Sequence, residues 1–329
     1  MIRSYALDIH GNGRSNLSVD QFIAVLQDQD SMLWVDFENS LPEEDEPLLR
    51  QVFGFHPLAI DDALQETHIP KVDDWGSYLY IVLNAVDVLN SSDQHFEILE
   101  LDVFLGRNFL VTHHDRPILA VDRVWSSLQR EIRVNHWGAD HLLYKLVDEL
   151  ASSFMHVVDA LDDRIDETEA LVFDRPAPDT LEQIFSIKRA VLQLRRIIGP
   201  PREVLNKLAR DDSGVIDHQD RIYFRDVYDH MVRLYDISES IRDLVSGVLD
   251  TYLSVINNRM NDIMKTLTII TTLFMPISFV TGFFGMNFFE PVASLYGWTS
   301  GVVFVVTLLV MLLAPITMVS YMQRRGWFG

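Results

Sequence analysis

Between Asp250 and Asn287 the chain passes from charged to apolar residues while keeping a seven-residue register of small, polar or methionine side chains. One row is Asp250, Asn257, Met264, Thr271, Ser278 and Gly285; beside it runs Ser254, Asn261, Thr268, Met275 and Gly282. Helical neighbours fall three or four residues apart, so the two rows form one narrow stripe. The other faces of the later part carry Leu267, Ile270, Leu273, Phe274, Ile277, Phe279 and Phe283. This pattern predicts one continuous helix that enters a membrane and turns its stripe away from lipid. A polar stripe on a spanning helix must face a partner helix or water.

Two segments, Met264 to Phe284 and Gly301 to Met322, reach the ~20 residues that a spanning helix needs. Pro276 and Pro315 interrupt them, which neighbouring helices in a bilayer tolerate. Arg259 and Lys265 precede the first span, Arg324 and Arg325 follow the second, and residues 286–300 contain no Lys or Arg. The distribution of basic residues predicts both termini in the cytoplasm and a short external loop. Trp298 and Trp327 fall at the expected interfaces.

The chain has 329 residues with 48 acids and 27 bases, a net charge of −21. After residue 263 it adds only Lys265, Arg324, Arg325 and Glu290, so residues 1–263 carry 47 acids against 24 bases. An excess of that sign argues against a nucleic-acid partner and suits a solvated acidic surface or a load of divalent cations. There is no cysteine, which excludes disulfides and thiolate metal sites. Residues 1–10 have no apolar core of signal-peptide length.

The first part reads as α/β. Strands are expected at Tyr5–Ile9, Met32–Phe37, Tyr78–Val88, Phe96–Leu105 and Phe109–His113, with helices at Pro42–Val52, Pro57–Leu64 and Pro117–Arg133. From Asp140 the chain is helical. A helix over His141–Phe173 is followed by one capped by Asp179 or Thr180 and bent or interrupted at Gly199-Pro200-Pro201. The last helix is expected to begin near Asp217 and run unbroken to Phe284; such a rod needs lateral partners, so an oligomer is expected.

Gly11-Asn12-Gly13 lacks the Lys-Ser/Thr of a phosphate cradle and reads as a turn. His113-His114-Asp115 invites a metal, but adjacent strand residues point apart, and a turn before Pro117 explains them better. No catalytic constellation is present, so an enzyme is not expected. Asp226, Asp229, Asp236, Glu239, Asp243 and Asp250 recur along the last helix, where packed copies would repel unless cations intervened. Gly285-Met286-Asn287 closes the first span; a ring of uncharged Asn amides can hold a cation through its water shell, which suits reluctantly dehydrating Mg²⁺.

At this point the chain resembles the CorA family of magnesium and cobalt transporters. The likeness rests on Gly285-Met286-Asn287-Phe288, Lys265-Thr266-Leu267-Thr268-Ile269-Ile270, Phe274-Met275-Pro276 and the basic tail ending in Trp327. It extends upstream through Tyr223-Phe224-Arg225-Asp226-Val227-Tyr228-Asp229-His230 and Arg242-Asp243-Leu244-Val245-Ser246-Gly247 to His56-Pro57-Leu58-Ala59-Ile60-Asp61-Asp62.

The resemblance implies an α+β membrane protein of the cell inner membrane that assembles as a funnel-shaped homopentamer. Its parts would be a cytoplasmic α/β/α domain (1–139), a helical hairpin (140–216), a stalk (217–263), a pore-lining span (264–285), an external loop (286–300), a second span (301–322) and a basic tail (323–329). By the same resemblance, Gly285, Met286 and Asn287 would form the selectivity filter. Ser278 would be an inner polar ring, and Met275, Leu267 and Met264 apolar constrictions. Thr268 and Thr271 would share that lining, with Asn261 and Asp250 nearer the cytoplasm. Asp226 matches an acid that helps hold a regulatory Mg²⁺ between subunits; its partner would be Asp87, Asp93 or neither. Glu290 is the only acid of the external loop, which lacks the family's Pro-Glu-Leu. The implied activity is import of Mg²⁺, and of Co²⁺ and Ni²⁺, down the membrane potential, closed by cytoplasmic Mg²⁺. The alternatives are a zinc transporter of the same superfamily and a membrane-anchored sensor that moves no ions; relatives of the first kind often have Val where Met286 stands.

Overall fold

The computed structural model describes residues 1–8, 10–65, 69–92, 95–130, 138–174, 176–286 and 301–327, without the side chains of 88–92, 95 and 284. Two compact units result, Met1–Asp250 and Thr251–Gly329.

The first unit is built on seven strands: β1 (Ile2–Leu7), β2 (Gly13–Ser15), β3 (Met32–Glu38), β4 (Lys71–Asp74), β5 (Tyr78–Ser92), β6 (His95–Gly106) and β7 (Phe109–His114). They lie in the order β2-β1-β3-β7-β6-β5-β4, antiparallel except for the parallel β3–β7 pair. Met32 to Phe37 of β3 are all buried, as a strand covered on both faces requires. On one face Leu33, Val35 and Phe37 meet α1 (Val19–Gln27), α2 (Pro42–Gln51) and α3 (Pro57–Leu64) through Phe22, Leu49 and Ile60. On the other face Trp34 packs at 4.8 Å against Trp125 of α4 (Leu119–Arg130). The long helices α5 (Ala139–Asp174) and α6 (Pro178–Leu208) also pack against the sheet.

β2, α1 and β4 lie outside the expectations from sequence. α1 carries a readable start signal, since the Ser18 amide donates to the Gln21 side chain at 2.8 Å. β4 is polar and is fixed only by its pairing with β5. Four expectations need correction, the last of them the start of the final helix. α6 is not interrupted at Gly199-Pro200-Pro201, because buried Ile197, Ile198, Pro201, Val204 and Leu205 hold it in place despite the lost backbone donors. Its N-cap is Ala177, whose amide donates to Thr180 Oγ1 at 3.4 Å. His113 and His114 lie within β7, buried on opposite faces beside Asp45 and Asp36, and do not form a turn.

Asp36 is fully buried and therefore requires partners. Arg3 Nε donates to it at 2.7 Å, the Thr112 hydroxyl donates to it, and His114 Nε2 stands 3.2 Å away, off the line of a hydrogen bond. Burial opposes charge on His114, but Asp36 and the Arg116 carbonyl outweigh it and raise its pKa above 6.5. Its stabilising contribution is therefore complete below 6.5 and is lost as pH rises through the folded value. Thermal unfolding of the full chain in detergent should shift downward as pH rises past neutrality, and His114→Gln should flatten that slope. Burial also pushes Asp102 well above the usual carboxylate range, adding a slope of the same sign that cancels between the two proteins. An unchanged slope in His114→Gln would remove His114 as the cause.

α7 (Arg221–Gly285) is a single 65-residue helix. It starts at Arg221, later than expected, because Asp217–Asp220 form a turn anchored by the Asp217 amide donating to Asp140 Oδ2 at 2.9 Å. In the first unit it buries Phe224, Val227, Met231, Leu234, Ser238, Ile241, Val245 and Val248, spaced alternately by three and four. The one polar member, Ser238, donates its hydroxyl to Tyr235 O at 2.6 Å. α5 lies alongside in parallel, with His141 Nδ1 2.9 Å from Asp220 Oδ1 and Tyr144 stacked on Tyr223 at 4.8 Å.

Candidate functional site

In the second unit, α7 and α8 (Gly301–Arg324) are each long and apolar enough to cross a bilayer, with mean hydropathy 1.7 and 2.8 in their most apolar windows. One face of α7 is half-buried: Lys265, Ile269, Thr272, Leu273, Pro276, Ile277 and Val280. Thr272 shares a cavity with Thr317 and Met318, so this face looks toward α8. Both seven-residue rows lie elsewhere on the helix. Asp250, Asn257, Met264, Thr271, Ser278 and Gly285 are exposed, and so are Ser254, Asn261, Thr268, Met275 and Gly282. Leu267 and Met286 are also exposed. Asn287, Glu290 and Trp298 lie outside the described residues.

The threonines have a chemical polarity that their names do not reveal. Thr268 donates its hydroxyl to Met264 O at 2.7 Å, and Thr271 donates to Leu267 O at 2.8 Å. With the proton committed to the helix, each oxygen offers only lone pairs outward. Such oxygens can accept from the water shell of a cation and offer nothing to an anion.

The acids of α7 form a second region. Asp226, Asp229, Asp236 and Asp243 are exposed, and Glu239 is partly covered, with Arg195 and Arg242 each 3.3 Å away. Asp226 sits 3.9 Å from His230 of the next turn. Across the helix pair it approaches Asp148 of α5: burial raises the Asp148 carboxyl, and Asp226 adds to the rise. Sequence reasoning missed Asp148. The parallel alignment of His141 with Asp220 and Tyr144 with Tyr223 carries the register forward to Asp148 beside Asp226. Asp87 is half-buried on β5 opposite Glu97, while Asp93 lies outside the described residues. Among the described residues of a single chain, no three or more His, Asp or Glu are grouped to hold a metal ion.

Compared with known proteins, the chain matches the family model described as "CorA-like Mg2+ transporter protein" over residues 29–324. It is 33% identical over 327 residues to the cobalt/magnesium transport protein CorA of Thermotoga maritima, covering 95% of this chain and 91% of that one. Identity to the zinc transport protein ZntB of Yersinia pestis is 23% over 328 residues, covering 99% and 95%. The solved structure of the CorA magnesium transporter from Methanocaldococcus jannaschii superposes with a TM-score of 0.82 at 24% identity, covering 99% and 98%, which shows a shared fold.

Proposed function

We propose a Mg²⁺-import function from one premise: the chain belongs to the CorA-like Mg²⁺ transporter family. It is a divalent-cation transporter of the membrane, with two spanning helices and an N-terminal soluble α/β part. On our reading, copies of α7 surround a wet path, as a homopentameric funnel with both termini in the cytoplasm. Gly285-Met286-Asn287 is its selectivity filter, Ser278, Thr271 and Thr268 are polar steps, and Met275, Leu267 and Met264 are constrictions that close by dewetting. The observation that supports this best is the exposure of both rows of α7 away from its own second span. An exposed polar row on a spanning helix calls for water or another subunit.

The deciding experiment is uptake of Mg²⁺, Co²⁺ and Zn²⁺ by purified protein in vesicles, with and without an imposed proton gradient. Mg²⁺ uptake driven by membrane potential alone is expected. Zinc uptake that requires the proton gradient would replace this reading with the zinc one, which the likeness to ZntB keeps in view. Absence of flux for every ion would leave a sensor.

Closure by cytoplasmic Mg²⁺ is assigned to the acidic region. Burial and Asp226 oppose a charge on Asp148 while Lys145 and His230 favour it, and a divalent ion shared with a neighbouring subunit would offset the like charges and hold subunits together. Asp226→Lys places an ammonium where the ion would sit. It should raise the internal Mg²⁺ needed to halve Co²⁺ uptake by about tenfold or abolish the inhibition, in the range of ordinary couplings. Unchanged inhibition would remove Asp226 from the sensor.

A further inference from the structure

Between α7 and α8 lies a cavity of about 640 Å³. Thr272 of α7 and Thr317, Met318, Tyr321 and Met322 of α8 line it together with Arg325 and Trp327, and the end of α8 is taken as its mouth. The mouth is built by the end of α8. Gly326 adopts a positive φ of 72°, and the Trp327 amide turns back to donate to Met322 O at 3.0 Å. The Arg325 guanidinium lies 5.7 Å from the centre of the Tyr321 ring. Beyond residue 263 the sequence contains one acidic side chain, Glu290. The cavity is therefore apolar along its wall and cationic at its mouth, with aromatic rings at the depth where headgroups lie.

We propose that this cavity seats one anionic phospholipid of the cytoplasmic leaflet, its phosphodiester on Arg325 and an acyl chain along Met318 and Met322. Charge selects the occupant: at the end of a span, lipid headgroups are the abundant anions, and a guanidinium pairs with phosphate through two parallel donors. The methionine wall offers an adaptable surface to a flexible chain. The inference rests on the membrane reading of α7 and α8 and is independent of which ion is carried.

The test uses full-length protein in detergent, with retention of phosphatidylglycerol measured against phosphatidylcholine by native mass spectrometry. Arg325→Gln and the cavity-filling Met318→Trp should each reduce phosphatidylglycerol retention about tenfold, the loss of one charge-assisted contact. Arg324→Gln, which removes the same charge from a residue outside the cavity, should change it less than twofold. Inorganic phosphate should not displace the lipid. Equal losses in Arg324→Gln and Arg325→Gln would reduce the effect to general surface charge and overturn the site. So would full retention in Met318→Trp, phosphate competition, or cross-links placing another copy's α7 beside Thr317. Ion flux is read separately in vesicles of phosphatidylcholine alone, so failure of transport and failure of lipid binding are distinguishable.

Discussion

Vesicles carrying Asn287→Ala are expected to take up Mg²⁺ at least about tenfold more slowly than those carrying the parent chain, with the preference for Mg²⁺ over monovalent cations reduced as well. Mg²⁺ gives up its water reluctantly, so a selective ring must grip the hydrated ion by accepting hydrogen bonds from its water shell. Hydrogen bonds to a charged group contribute roughly 1.5–3 kcal/mol each, and every ~1.4 kcal/mol is a factor of ten. In the proposed ring, alanine would remove the acceptor from every copy at once. Asn287→Gln keeps the amide but displaces it by one methylene, and should fall between the two. Ser278→Ala, deeper in the proposed path, should have a smaller effect, since hydroxyl rows remain at Thr271 and Thr268. Full Mg²⁺ flux in Asn287→Ala would end the filter assignment.

Asp36→Asn is expected to destabilise the soluble unit by about 3–5 kcal/mol, the usual cost of removing one member of a buried charge set. Arg3, Thr112 and His114 converge on this single carboxylate, and Trp34 Nε1 donates to Thr112 Oγ1 at 3.0 Å behind it. An amide of the same shape preserves packing but takes away the charge that offsets the burial of Arg3 and His114. Arg3 keeps Asp122 at 2.8 Å and the Trp125 ring at 4.6 Å, so the residual strain falls mainly on His114. Adding His114→Gln to Asp36→Asn should therefore recover part of the loss. Urea unfolding of the full chain in detergent, followed by tryptophan fluorescence, measures both. A loss below about 1 kcal/mol would show that water or rearrangement supplies what Asp36 supplies now.

The sequence disclosed most where one local rule governed the outcome. Both spans, the continuity of α7 from the stalk to Gly285, and five of the seven strands follow from period and composition. The elements it hid depend on distant partners. Lys71–Asp74 is a strand only because Leu79–Val82 supplies a ladder, and nothing in Lys-Val-Asp-Asp announces that. His113 and His114 read as a strand end giving way to a turn because the acids that bury them, Asp45 and Asp36, are remote in sequence. α6 survives two prolines because its packing outweighs roughly 3 kcal/mol per interior proline. The two seven-residue rows of α7 could be read from spacing, and their members are exposed along the described helix, whereas Asp148 became visible only when α5 and α7 were aligned.

The seven-residue register of α7 has a geometric consequence for any assembly built from it. A straight helix needs 3.6 residues per turn, so a strict row of sevens slips about 20° per repeat, or about 100° between Asp250 and Gly285. Copies that keep this row facing a common axis must coil about one another with left-handed twist. The bore of such a bundle is then set by the pitch of the winding, and a small change in tilt at one end narrows or widens it along the whole length, as an iris does.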